Sequence, residues 1–114
     1  MIILRIAMYA ILEKQKEVML TLLSLINPSI KEKGCVRYAV FCDIADNNLF
    51  SLMSEWKTRN DLEHHIKSAR FGVVLGIGSL LRESMSIHIH TVSDSEGIEM
   101  VNALRNRSTL ILSI

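Results

Sequence analysis

The feature that most constrains this chain is the spacing of its apolar residues, which switches between the period of a strand and that of a helix. Alternation or a continuous apolar run favours a strand, whereas a spacing of three or four residues favours a helix. In chain order the patterns predict strand, helix, strand, strand, helix and strand over residues 2–12, 13–26, 35–43, 49–57, 58–81 and 84–92. This order is that of the ferredoxin-like split βαβ fold, an α+β class in which a four-stranded antiparallel sheet carries its helices on one face.

Short motifs mark where these helices begin and end. Proline disfavours helical geometry in the residue before it, so Asn27–Pro28 is predicted to interrupt the first helix. Thr58, followed three residues later by an aspartate, resembles a capping box and predicts the start of the second helix, with a break near Ser68. Ser93, followed three residues later by a glutamate, predicts an extra C-terminal helix in the same way.

The length and composition suit one compact domain. The chain has 114 residues, of which 49% are hydrophobic and 22% are charged, so it can bury a core. We predict a single domain over residues 1–114, with its core in 1–93 and a C-terminal helix and tail in 94–114. The apolar tail 108–114 is compatible with an edge strand, a contact with a partner, or disorder.

Charge and cysteine content restrict the setting. A net charge of +1 with no basic patch argues against a nucleic-acid partner. The apolar start is interrupted by Arg5 and is shorter than the roughly 20 residues that span a bilayer, so neither a signal peptide nor a membrane partner is predicted. Cys35 and Cys42 lie seven residues apart in one predicted strand, which places them on opposite faces as poor disulfide partners. A reducing, cytoplasmic location fits these features.

The second face of the predicted sheet bears on the assembly. The strands alternate between two mostly hydrophobic sets of side chains, but the predicted helices cover only one of them. An apolar sheet face must be buried against something, and a second copy related by a two-fold axis is the economical solution. We therefore predict a homodimer whose sheets face each other as a dimeric α/β barrel.

Trp56 and His65 are the first candidate functional residues. Trp56 ends an apolar strand face, where it serves either as core or as a cavity wall with its indole N–H directed at a ligand. His65 falls on the apolar stripe of the second helix and is predicted to point inward, whereas His64 is rotated to the surface. An inward histidine either transfers protons or is a structural imidazole bonded to a backbone group or a carboxylate.

Three further polar side chains are candidates to contact a substrate. Arg5 interrupts the apolar first strand, and a buried arginine requires a partner. That partner is either an anionic group of a ligand or Glu55 of the third strand, and the structural pair with Glu55 is favoured. The hydroxyl groups of Tyr9 and Tyr38 also need partners, and either is suited to line a cavity.

His88 and His90 share one face of the last predicted strand. Two histidines at this spacing can chelate a metal ion, but the sequence offers no carboxylate or thiolate at a matching spacing. A solvent-facing strand or the edge of a dimer is the favoured interpretation, and no metal site is predicted.

One continuous stretch resembles a known family. GCVRYAVFCD (34–43), an asparagine-containing turn, and LFSLMSEWKTRNDLEHHIKSARF (49–71) are similar to the antibiotic biosynthesis monooxygenase domain family, which includes quinol monooxygenases. The similarity covers roughly residues 1–93. The matching positions that carry it are Glu55, Trp56, Leu62, His65, Ser68 and Phe71.

The resemblance implies a fold, an activity and residue roles. It implies a dimeric α/β barrel that oxygenates a quinol or another phenolic or polycyclic aromatic substrate with O2, using no metal, flavin or other cofactor. Trp56 and His65 match the family's tryptophan and helix histidine, so His65 is implied as the proton acceptor or hydrogen-bond partner, with Trp56 and Phe71 shaping the pocket. Members often have histidine where this chain has Arg70, which is a departure from the pattern.

The same scaffold supports two other functions. One is a dimeric ligand-binding or regulatory module without turnover, which would bind an aromatic ligand but form no product. The other is a protein that binds and degrades haem, against which the absence of a histidine at position 70 argues.

Overall fold

The computed structural model describes the backbone of residues 1–113 and the side chains of residues 1–106. It contains four strands, four α-helices and two short 3-10 turns, Leu12–Lys14 and Ile77–Leu80. The strands are β1 Ile2–Tyr9, β2 Cys35–Cys42, β3 Leu49–Trp56 and β4 Ser86–Thr91. The helices are α1 Gln15–Ile30, α2 Arg59–Ile66, α3 Ala69–Gly76 and α4 Ile98–Ser113.

The sheet confirms the predicted topology. Its strand order is β2-β3-β1-β4, and every neighbouring pair is antiparallel. Ile6 at the middle of β1 stands opposite Leu52 of β3 on one side and Ile87 of β4 on the other. This is the ferredoxin-like arrangement, with two central strands and two edge strands.

The core lies between one face of the sheet, here called the helix face, and the helices. Alternate residues of β1 and β3 point into it and are buried, because successive side chains of a strand leave on opposite sides. The helices contribute a matching stripe of buried residues at helical spacing. The buried core positions include Ile2, Leu4, Ile6, Met8, Val18, Leu22, Leu25, Phe50, Leu52, Trp56, Leu62 and Val74.

The opposite side of the sheet, here called the open face, carries no helix of the described chain. Ile3, Ala7 and Met53 are half-buried there, and the Phe41 side chain is 43% exposed. The near-continuous apolar run of β1 is typical of a strand buried on both faces. Within one chain only the helix face of β1 is buried, so the remaining apolar surface is left for another covering group.

Two predicted boundaries are wrong. Helix α1 continues through Pro28 to Ile30, because a proline in the last turn removes one backbone hydrogen bond while buried Leu25 and Ser29 stay packed. Ser93 does not start the last helix, which begins at Ile98 after an irregular segment. The predicted boundaries at Thr58 and Ser68 are confirmed, since each side chain accepts a hydrogen bond from the backbone N–H three residues later.

The two cysteines are not on opposite faces as predicted. A β-bulge between Cys35 and Arg37 shifts the register, so Cys35 stands opposite Trp56 and Cys42 opposite Phe50. Trp56 and Phe50 both belong to the helix face, so the two cysteines share that face. The extra residue of the bulge is the cause, because it reverses the alternation of the side chains beyond it. The thiols remain free, since they stand at the two ends of an eight-residue strand.

The chain after β4 lies at the edge of this fold. Ile98 and Val101 of α4 are exposed. The backbone of residues 108–113 belongs to α4, so the edge-strand prediction for the tail is wrong, while the side chains of the tail lie outside the described residues. Within the described part of the chain, no helix is both long and apolar enough to cross a membrane.

Candidate active site

Strand β3 and two capped helix starts bring the predicted site residues together. Trp56 is the last residue of β3, and Thr58 begins α2 at once, so His65 returns one helix later to the same part of the core. Ser68 then caps α3 through the backbone N–H of Phe71. This close sequence of strand, cap and helix places three aromatic rings side by side.

His65 is buried and bonded to a carboxylate. Its side chain is 1% exposed, and its Nδ1 lies 2.9 Å from Oε2 and 3.0 Å from Oε1 of Glu32. The Glu32 side chain is itself 6% exposed and accepts a second hydrogen bond, of 3.2 Å, from Nε of Arg70. An ionised carboxylate can only accept, so this arrangement directs the Nδ1–H of His65 at Glu32.

Aromatic rings surround the imidazole of His65. Trp56 stacks on it with ring centroids 4.4 Å apart, and Phe71 meets it edge-on at 5.5 Å. Tyr38 of β2 approaches edge-on at 6.1 Å. The indole N–H of Trp56 donates to Oγ of Ser54 at 2.9 Å, so Trp56 offers its ring face and not a free donor.

Several buried polar atoms of this cluster have no hydrogen-bond partner. They are Nε2 of His65 and the hydroxyls of Tyr38 and Ser29, which lie near each other but outside ordinary hydrogen-bond geometry. Burial raises the pKa of the Tyr38 hydroxyl, an effect that the Ser29 hydroxyl opposes and the Glu32 carboxylate reinforces. Buried polar atoms are normally satisfied, so these atoms mark a place suited to a water molecule or a polar group of a ligand.

Arg5 and Tyr9 lie on the other side of the sheet. Arg5 stands opposite Met53 and His88 on the open face and is exposed, so the prediction that it is buried is wrong. The predicted pair with Glu55 is not formed, because Glu55 faces Ile3 and Arg37 in the neighbouring registers. The guanidinium carbon of Arg82 lies 4.3 Å from the ring centroid of Tyr9.

The strand histidines also face the open side. His88 and His90 stack with centroids 6.2 Å apart, and Nε2 of His88 lies 3.0 Å from Oγ of Ser86. Among the residues that the structure describes, no group of three histidine, cysteine or acidic side chains is arranged to hold a metal ion. A depression of about 440 Å³ on the open face is lined in part by Arg5, Phe41 and His88.

The structure therefore divides the candidate residues into two sets. His65, Trp56, Phe71 and Tyr38 form one cluster, while Arg5 and Tyr9 are separated from it by the sheet. Sequence reasoning missed Glu32, which lies in the turn after α1 and is 33 residues from its histidine partner. No periodicity marks a turn carboxylate as buried, and the only available signal was the general need of an inward histidine for a partner.

The sequence of the segment that forms this cluster matches a known protein family. Residues 1–74, which contain Glu32 and the four clustered aromatic side chains, match the model of the family described as antibiotic biosynthesis monooxygenase. The chain belongs to the antibiotic biosynthesis monooxygenase family. The resemblance inferred from residues 34–71 is thereby confirmed.

Solved structures share the fold of this chain. A crystal structure of an antibiotic biosynthesis monooxygenase superimposes with a TM-score of 0.75 at 21% identity, covering 82% of this chain and all (100%) of that one. A conserved protein from Methanosarcina mazei superimposes with a TM-score of 0.73 at 28% identity, over 78% of this chain and 89% of its own. These similarities support the fold.

A curated relative is longer than this chain. An uncharacterised protein from Synechocystis is 26% identical over 85 residues, which cover 74% of this chain. The matched region spans 58% of that relative's length.

Proposed function

We propose that this protein is a monooxygenase that oxygenates a quinol or another phenolic aromatic substrate with O2 and without a metal or flavin. The observation that carries the proposal is the state of His65. Its Nδ1 is held by the buried Glu32 carboxylate, while its Nε2 is buried without a partner. A neutral imidazole oriented in this way presents the lone pair of Nε2 as a proton acceptor.

The proposed reaction begins with the transfer of the phenolic proton to Nε2 of His65. The resulting phenolate gives one electron to O2, and the phenoxyl radical and superoxide combine at a ring carbon that carries part of the unpaired spin. Loss of water from the protonated peroxide leaves a new carbonyl on the ring. A hydroquinone and O2 thus yield a hydroxyquinone and water, and each product contains one of the two oxygen atoms of O2. Glu32 stabilises the imidazolium that forms when His65 accepts the proton.

The remaining side chains of the cluster have supporting roles. Trp56 and Phe71 pack against the imidazole of His65 and supply the apolar wall of the site when a substrate ring enters beside it. The unpartnered hydroxyl of Tyr38 is suited to hydrogen-bond an oxygen of the substrate or intermediate. His65 is fully packed, so binding of a substrate requires neighbouring side chains to move. Arg70, with 41% of its side chain exposed, is the partly exposed residue that contacts Glu32.

Oxygen uptake with a panel of quinols tests this proposal. We expect His65→Ala to reduce the rate by about 100-fold or more, the usual contribution of a general base. His64→Ala is the matched control, because His64 is the adjacent residue and is exposed. Equal rates in wild type and His65→Ala, with both proteins folded by circular dichroism, would refute the role of His65. Saturable binding of quinols without oxygen uptake would instead support a binding module.

We also propose that a second copy of the chain covers the open face. The half-buried Ile3, Ala7 and Met53 lie there around the exposed Arg5, and the exposed ring of Phe41 lies beside them. Burying this surface against its own copy satisfies both chains at once. Sedimentation is expected to give twice the 12.9 kDa chain mass. Phe41→Glu is expected to give monomers, while the control Ile44→Glu, at a fully exposed loop residue, leaves the dimer intact.

A further inference from the structure

Arg70 connects the buried His65–Glu32 pair with the surface. Its Nε donates to Oε2 of Glu32, the same oxygen atom that lies 2.9 Å from Nδ1 of His65. A single carboxylate group therefore separates the guanidinium from the imidazole. Because 41% of the Arg70 side chain is exposed, against 6% for Glu32, a ligand that approaches His65 from this side meets Arg70 first.

The guanidinium retains unused hydrogen-bond donors. Only Nε of Arg70 is bonded within the described residues, and its two terminal nitrogens make no hydrogen bond there. Those nitrogens form a planar edge with parallel N–H groups, which matches the two oxygens of a carboxylate. The free edge of Arg70 is thus suited to bind a carboxylate of a ligand in bidentate geometry.

The local charges set how strong such binding is. The negative charge of Glu32 is opposed by the positive charge of Arg70 and by the Nδ1–H of His65, so the group as a whole is not strongly positive. A second carboxylate on the outer edge of Arg70 is attracted by the guanidinium and weakly repelled by Glu32. A moderate preference for an anion is therefore expected.

Resting on the proposed function, we infer that Arg70 selects the substrate by charge. The preferred class is a phenolic aromatic that also carries a carboxylate. Its ring packs near Phe71, which directly follows Arg70 and meets His65 edge-on. Its phenolic hydroxyl reaches the buried Nε2, on the side of the imidazole away from Glu32, once the side chains around His65 move. Its carboxylate binds the outer edge of the guanidinium. Arg70 is the specificity-determining residue, and His65 remains the proton acceptor.

Calorimetric titration in the absence of oxygen tests the inference with two ligands, hydroquinone and 2,5-dihydroxybenzoate, which differ by one carboxylate. Wild type is expected to bind the acid about tenfold more tightly, the value for one hydrogen-bonded charged group. Arg70→Gln is expected to bring the ratio of the two dissociation constants close to one. Arg70→Lys keeps the charge without the planar edge and should retain part of the preference.

Arg59→Gln is the matched control, since Arg59 is exposed at the first residue of α2 and removing it changes the net charge equally. It should leave the ratio unchanged. A ratio near one in wild type, or a ratio that survives in Arg70→Gln, overturns the inference, as does a failure of wild type to bind either ligand. Oxygen uptake with uncharged quinols tests the proposed function separately, because that assay does not depend on the carboxylate.

Discussion

The coupling between His65 and Glu32 can be measured as a free energy. We consider the substitutions Glu32→Gln and His65→Phe and the double variant. Glutamine keeps the shape of Glu32 but not its charge, and phenylalanine keeps a ring stacked on Trp56 but has no Nδ1–H. Glu32→Gln therefore removes the charge of the acceptor, and His65→Phe removes the donor, each with little change in packed volume.

The burial of the two side chains determines the expected magnitude. Exposed ion pairs contribute between 0 and about 1 kcal/mol, because water competes for both groups. Here the side chains are 1% and 6% exposed, and the shorter nitrogen–oxygen distance is 2.9 Å. A buried hydrogen bond to a charged group is worth about 1.5–3 kcal/mol, so we expect a coupling free energy in that range.

Urea denaturation of wild type, the two single variants and the double variant gives this coupling directly. Glu32→Gln replaces the charged acceptor of His65 by a neutral one, and His65→Phe removes one of the two donors to Glu32. Each single variant should lose about 1.5–3 kcal/mol, whereas the double variant should lose clearly less than the sum. A coupling below about 0.5 kcal/mol would mean that the pair behaves like a surface contact. The orientation of His65 by Glu32 would then be wrong.

Three further outcomes follow from the geometry of single residues. Gly34→Ala should destabilise the fold by about 1–3 kcal/mol in urea denaturation, because Gly34 has φ 79° and an added Cβ would collide with the capping Asp61. Gly72→Ala, in the open middle of α3, should instead stabilise it by about 0.5–1 kcal/mol, and equal signs for the two changes would contradict the geometry. Cys35 should react with iodoacetamide more slowly than exposed Cys42, because burial and then Glu32 raise its thiol pKa and so lower the thiolate fraction at a given pH. Faster labelling of Cys35 by mass spectrometry would contradict this.

The sequence predicted the features that depend on periodicity and on local capping. Alternation in β3 placed Trp56 on the helix face, and the helical stripe of α2 separated the inward His65 from the outward His64. Both depend only on backbone geometry, which repeats regularly along a strand or a helix. The boundary at Thr58 was equally local, since a cap involves residues three positions apart.

The features that the sequence did not predict depend on contacts between distant segments or on single irregular residues. Glu32 finds His65 only because the turn after α1 packs beside α2. The bulge after Cys35 moves one thiol to the other side of the sheet, and no residue type requires a bulge at that position. Arg5 was expected in the interior because its neighbours in the sequence are apolar. Its side chain instead alternates onto the open face, between Leu4 and Ile6, which point into the core.

The protonation of the two His65 nitrogens decides whether this residue can accept a proton from a substrate. Nitrogen NMR of histidine-labelled protein at pH 8 separates a protonated ring nitrogen from a bare one. We predict a proton on Nδ1, directed at Glu32, and a bare Nε2 that can accept the proton of a phenol. A proton on Nε2 with a bare Nδ1, or protons on both nitrogens, would contradict it.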